Sequence, residues 1–178
     1  MKQLFLFAVL AVALFSCSGN KKTETLAENT PATVDGQLPV FGLDSLMKVA
    51  DRELDKNVKV TGYVTHTCKH SGKRCFIVGE SQAIAMRVEA KGDIGGFNRE
   101  LVGSKIEVSG ILKERRLTKD YIAEMEKDVE IKKTEDGAAE SCAAELSNIA
   151  DMRKWMKDNG KDYYSIYYMD GLNFTVLD

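Results

Sequence analysis

Between Asn57 and Glu114 the chain alternates apolar and polar residues with a period of two, in runs separated by turn-forming segments, and this pattern restricts it to a β-sheet domain. In the first run Val58, Val60, Gly62 and Val64 alternate with Lys59, Thr61, Tyr63 and Thr65. CFIVGE (75–80) and AIAMRVEA (83–90) read as the next two strands, the second with Ile84, Met86 and Val88 on one face. In KIEVSGILKE (105–114), Ile106, Val108 and Leu112 point inward while Lys105, Glu107 and Lys113 point outward. The intervening GDIGGFNRELVG holds four of the fourteen glycines and is expected to form a short helix or turn.

Helical periodicity flanks these strands. Asp44 is placed to cap a helix carrying Leu46, Met47, Ala50 and Leu54 on one face. Thr118 can cap another, with Ile122, Met125 and Val129 on its stripe. A further helix near 138–158 spaces Cys142, Leu146, Ile149, Met152 and Met156 at helical intervals, with Gly160 positioned to end it. DYYSIYYMDGLNFTVLD reads as two short strands turning at Asp170 and Gly171. The expected fold is α+β: a five-stranded OB-type β-barrel with an N-terminal helix and C-terminal helical additions. Such a fold does not by itself supply a function.

The N-terminus reads as an address. MKQ precedes twelve apolar residues, LFLFAVLAVALF, which suit a signal h-region. They fall short of the roughly 18 needed to span a bilayer. Leu14, Phe15, Ser16 and Cys17 resemble the lipobox of bacterial lipoproteins, with Phe15 where a smaller residue is usual. That resemblance implies cleavage after Ser16 and lipidation of Cys17, and Ser18 in the next position implies the outer membrane. Several acyl chains on one cysteine anchor a protein stably. The expected organisation is a signal peptide at 1–16, a lipidated cysteine and flexible tether at 17–39, and a folded domain at 40–178. Residues 18–39 are polar, aperiodic and hold both prolines. A formal charge of -2 argues against nucleic acid as a partner, since such a binder would show a basic face.

THTCKHSGKRC (65–75) concentrates the chain's two histidines and two of its four cysteines. With Cys17 lipidated, Cys68, Cys75 and Cys142 remain, an odd number, so at least one is free, a ligand, or paired outside the chain. On a strand His66, Cys68 and His70 point the same way. A turn around Gly72 and Lys73 would set His70 opposite Cys75, so that all four project to one side of one hairpin. Two thiolates and two imidazoles on one surface suit zinc, and copper(I) or iron would also accept them. The spacing HxCxHx4C is not that of a zinc finger or zinc ribbon.

Rival chemistry is available to the same residues. A Cys68–Cys75 disulfide would need a bulge or wider loop, because diagonal neighbours in a regular hairpin lie roughly 7–8 Å apart. Disulfides span about 4.4–6.8 Å between Cα atoms. Lys73 and Arg74 beside Cys75 would favour a thiolate, as in thiol redox proteins, although no CxxC is present. No carboxylate in the motif orients either histidine, which disfavours nucleophilic catalysis and an enzymatic role. The alternation also continues the face of Val58, Val60 and Val64, so the site would open into the barrel mouth unless a bulge at Gly62 changed parity. Phe76 and Val78 compete with Ile77 for the core, and the pattern leaves the buried face open. Cys142 is expected inside a helix interface. Tyr163, Tyr164, Tyr167 and Tyr168 are expected to pack within strands, although OB barrels also use aromatics for stacking.

KNVKVTGYVTHTCKHSGKRCFIVGES, followed by LVGSKIEVSGILKE, resembles a group of OB-fold lipoproteins from Bacteroidetes-type bacteria. The resemblance spans about residues 43–125; the helices from about 135 lie outside it. It implies an envelope OB domain with a special hairpin centred on Cys68, His70, Gly72 and Arg74, and no particular activity. The expected protein is therefore a lipid-anchored outer-membrane lipoprotein facing the periplasm. It would hold a transition metal or metal cofactor through His66, Cys68, His70 and Cys75, or else bind an envelope protein or small ligand without catalysis.

Overall fold

The computed structural model describes residues 37–133 and 139–177. The signal peptide, Cys17 and the tether as far as residue 36 lie outside the described residues. The elements run β1 (Val40–Gly42), α1 (Leu43–Glu53), β2 (Asn57–Thr67), β3 (Arg74–Val78), β4 (Ala85–Ala90), β5 (Lys105–Thr118), α2 (Lys119–Lys132), α3 (Ala139–Asp158) and β6 (Tyr163–Leu177). Strand order is β2-β3-β4-β6-β5, closing back on β2, with β1 added in parallel to β2. All ring pairings are antiparallel except β4 with β6. This is a closed five-stranded OB-like barrel with helical additions, and closure removes most of the exposed edges an open sheet would carry.

The interior follows the period-two pattern. Val58, Val60, Val64, Ile77, Met86, Val88, Ile106, Val108 and Leu112 are all buried. Leu43, Leu46 and Ala50 of α1 pack into the same core. Met47 lies half-buried beside them, and Leu54 falls just past the helix end. Asp44 does not cap this helix: the N-cap is Gly42, without a side-chain bond. Instead Asp44 accepts from the Ser81 N–H at 3.0 Å and from its hydroxyl at 2.6 Å, tying α1 to the β3–β4 turn. Ile84 precedes β4 and is 42% exposed. GDIGGFNRELVG contains a single 3-10 turn at Arg99–Leu101, and Ile94 and Phe97 from it enter the core.

The C-terminal segment departs from expectation. Asp170 and Gly171 form no turn; they lie within one long strand, β6, paired with β5 along most of its length. Register slips where Ser109 faces Asn173 but Gly110 faces Gly171, leaving Leu172 as the extra residue of a β-bulge. Beyond the barrel, Glu114–Thr118 and Tyr163–Tyr167 continue as a two-stranded ribbon. Leu117, Tyr164 and Ile166 on its outer face pack with Ile122, Val129, Cys142, Ile149 and Met156 into a second apolar cluster under α2 and α3. Thr118 caps α2 by accepting from the Tyr121 N–H at 3.2 Å. Gly160, at φ +61, ends α3.

Candidate functional site

The Cys/His hairpin is built differently from a regular two-residue turn. A register shift between Val64 and His66 places a bulge at Thr65, so parity changes there and not at Gly62. His66 then lies opposite Phe76, and Thr67 opposite Cys75. The Cys68 N–H donates to the Arg74 carbonyl at 2.9 Å, so the connecting loop runs through residues 69–73. His70 sits in that loop and does not oppose Cys75.

Consequently the four side chains do not share a face. Cys75 and Ile77 point into the core and Phe76 and Val78 outward, which resolves the competition on β3. His66 and His70 are exposed and Cys68 is half-buried. The His66 ring rests 6.0 Å from that of Phe76 on the outer surface. Among the described residues, no group of three or more His, Cys, Asp or Glu side chains is gathered so as to hold a metal ion. Cys68, Cys75 and Cys142 are free thiols, and Cys142 is buried on the inner face of α3 as expected.

The two hairpin thiols differ chemically. Cys68 opens a tight loop in which the Gly72 N–H returns to its carbonyl at 3.0 Å. Hydrogen bonds from the Ser71 backbone, the Ser71 hydroxyl and the His70 backbone lower its pKa, with a smaller contribution from Arg74. Burial alone pushes Cys75 up to about 12. Iodoacetamide at neutral pH should therefore modify Cys68 well before Cys75 or Cys142 in the native protein. Mass mapping of the alkylated peptides checks this, and in a Cys68→Ser variant Cys75 and Cys142 should stay almost unmodified while the protein is folded.

A second candidate site lies where α1, the start of β4, β6 and the end of α3 converge. A cleft of about 610 Å³ is walled by α1 (Met47–Arg52), by Ile84 and Ala85, and by Trp155, Asn159 and Lys161 at the end of α3. Tyr164–Tyr167 of β6 form its floor. The sequence alone did not single out this place, because its parts come from segments more than a hundred residues apart.

Inner-face residues of the ribbon organise the cleft's polar side. The Tyr167 hydroxyl donates to Asp51 Oδ1, and Lys161 Nζ donates to both Asp51 oxygens at 3.0 Å. These bonds hold the Asp51 carboxyl below its usual value, that from Tyr167 counting most. Burial, then the Asp51 bond, raise the Tyr167 phenol. Ser165 Oγ donates to Glu114 at 2.6 Å, and Arg116 Nε to the same carboxylate at 2.8 Å. Trp155 meets Tyr164 edge-on with ring centroids 5.2 Å apart, and Lys161 lies 5.3 Å over the Trp155 ring.

A depressed carboxyl pKa in the folded state stabilises the fold above the unfolded value and ceases to do so as pH falls through the folded one. The Asp51 tie between α1 and β6 should thus be intact above about pH 4 and weaken below it. An Asp51→Asn variant should remove the part of the acid-limb stability slope due to this group, measured by urea unfolding at stepped pH.

The fold and these two sites define an OB-like barrel with a lateral cleft between α1, the start of β4, β6 and the end of α3. No protein-family model matches the chain, and no curated protein matches it. A candidate aspartyl-tRNA synthetase from Leishmania major Friedlin aligns with 18% identity and a TM-score of 0.33, over 48% of this chain and 18% of that one. A DUF3299 family protein from Pseudomonas aeruginosa PAO1 aligns with 10% identity and a TM-score of 0.36, over 81% of this chain and 85% of that one.

Proposed function

We propose that the protein is a lipid-anchored, non-enzymatic binding module of the cell envelope, held to the outer membrane through Cys17 and taking its ligand in the cleft between α1, β6 and α3. The observation that carries this reading is the cleft itself: about 610 Å³, within the range of ligand sites, with apolar side chains such as Met47, Ile84, Trp155 and Ile166 set among polar and charged ones. The anchor rests on the lipobox-like Leu14–Cys17 and the polar segment that follows.

Trp155 is the chain's single tryptophan and lines the cleft, so its emission reports occupancy there. Titrating the mature chain with separated envelope fractions, peptide and glycan, should shift or quench that emission saturably with at least one of them. No response to either fraction would overturn the cleft reading. Separately, wild-type chain expressed in a Gram-negative host should partition with membranes, and Cys17→Ser should release it to the soluble fraction. Equal partitioning of both would remove the anchor.

A further inference from the structure

The cleft floor has a property beyond its shape. Along one edge, Tyr163–Tyr167 pair with Glu114–Thr118 of β5. On the other edge, pairing with β4 begins only at Arg87 opposite Tyr168. Ala85, the first residue of β4, lies across the cleft from Tyr164–Tyr167. Among the described residues, Tyr163–Ile166 have no strand partner on the cleft-side edge. Alternate residues there present an N–H and a C=O to the opening, the template a further strand would use.

Two more observations specify what would occupy it. Met47, Ile84, Trp155 and Ile166 line the walls and floor, offering apolar contact to side chains projecting from either face of an added strand. The cleft's charged side chains are Lys48, Asp51, Arg52 and Lys161, three cations against one carboxylate, in a chain whose formal charge is -2. Asp51 is already engaged by Lys161 and Tyr167. Among the described residues, Arg52 has no ion-pair partner, while Lys48 makes no close ion pair but lies near enough to Asp44 to help lower its carboxyl pKa.

We propose that the cleft receives an extended acidic peptide segment of another protein, which adds as a strand to the free edge of β6 and sets a carboxylate against Arg52 and Lys48. This deepens, and rests on, the reading of the cleft as the ligand site. Backbone pairing supplies sequence-tolerant affinity, while the cations and apolar walls select among strands. A glycan would use Trp155 and Tyr164 but would leave the directional backbone groups of β6 without the regular partners a strand gives them. The walls formed by α1 and α3 also favour a single narrow strand over the broad edge of a second copy.

The test pans a random-peptide phage library against immobilised mature chain, then measures binding of the enriched synthetic peptides through Trp155 emission. Enriched peptides should be β-prone and carry Asp or Glu. N-methylation at alternate backbone amides should weaken them by about tenfold or more, with the intervening positions indifferent, since only every second amide faces the edge. Arg52→Glu, an exposed change that spares the core, should weaken binding by a similar factor and reduce its salt dependence. Hydrogen exchange should slow at amides within Tyr164–Tyr167 on binding. Absence of any enriched peptide, or binding indifferent to N-methylation, would overturn strand addition. Should only the glycan fraction move Trp155, the peptide is wrong while the cleft remains the ligand site. Dimerisation through β6, lost in Arg52→Glu, would assign the edge to a second copy and likewise overturn the proposal.

Discussion

Gly110→Ala is expected to destabilise the domain by ~3 kcal/mol, the upper end of overpacking effects. A Cβ at this position would stand 2.3 Å from the Asp170 carbonyl oxygen and 2.9 Å from Gly171 Cα. Both obstacles are backbone, so no rotamer change relieves the clash, and β5 and β6 would have to separate. That separation falls where the register slips and Leu172 bulges, at the seam on which barrel closure depends. Urea unfolding should show a lower midpoint with an unchanged slope, meaning lost stability without a change in exposed surface. The melting temperature should drop by roughly 10 °C. Gly95→Ala, where a Cβ meets nothing within 4 Å, is the control and should lie within ±0.5 kcal/mol of wild type. A Gly110→Ala midpoint equal to that of Gly95→Ala would show that the two strands yield there.

The same seam marks a limit of what the sequence reveals. Asp-Gly is a strong local turn signal, and DYYSIYYMDGLNFTVLD invites a hairpin at Asp170–Gly171. What requires glycine at 171 is instead long-range: a Cβ there would meet Val88 Cγ1 at 2.8 Å and Ile94 at 3.1 Å. Nothing near Gly171 in the chain encodes that demand. The barrel interior was legible because Val58, Val60, Ile106, Val108 and Leu112 write their inward face directly into a period of two. So was the cap at Thr118, where the hydroxyl and the helix it serves are neighbours.

The hairpin shows the converse. Residues 65–71, THTCKHS, contain no aliphatic alternation from which parity could be read, so a one-residue bulge at Thr65 passes unseen and transfers His66 to the outer face. The bulge turns His66 outward while Cys75 faces the core, and the loop at 69–73 carries His70 away from Cys75, so the four side chains do not share the one surface that the spacing suggested. Asp44 repeats the lesson on a helix: its position suits an N-cap, yet its carboxylate serves Ser81, far along the chain. The cleft was illegible for a different reason, since it arises only when α1, β6 and the end of α3 converge.

Leu46→Ala is expected to cost ~2–5 kcal/mol, the range for emptying a fully buried leucine site. Leu46 is 0% exposed and lies on the face of α1 that closes the barrel core with Leu43 and Ala50. Against a typical domain stability of roughly 5–15 kcal/mol, such a loss consumes a large share of the total. The position also separates the two apolar clusters. Leu46 belongs to the barrel cluster, whereas Ile149 belongs to the cluster beneath α2 and α3. If the clusters unfold as separate cooperative units, Leu46→Ala should lower protection of barrel amides in native-state hydrogen exchange more than Ile149→Ala does, with the order reversed for α3 amides. Equal loss everywhere from both variants would mean instead that the ribbon couples the helical hairpin to the barrel as one unit. In that case the cleft-side segment of β6 opens only when the whole domain does.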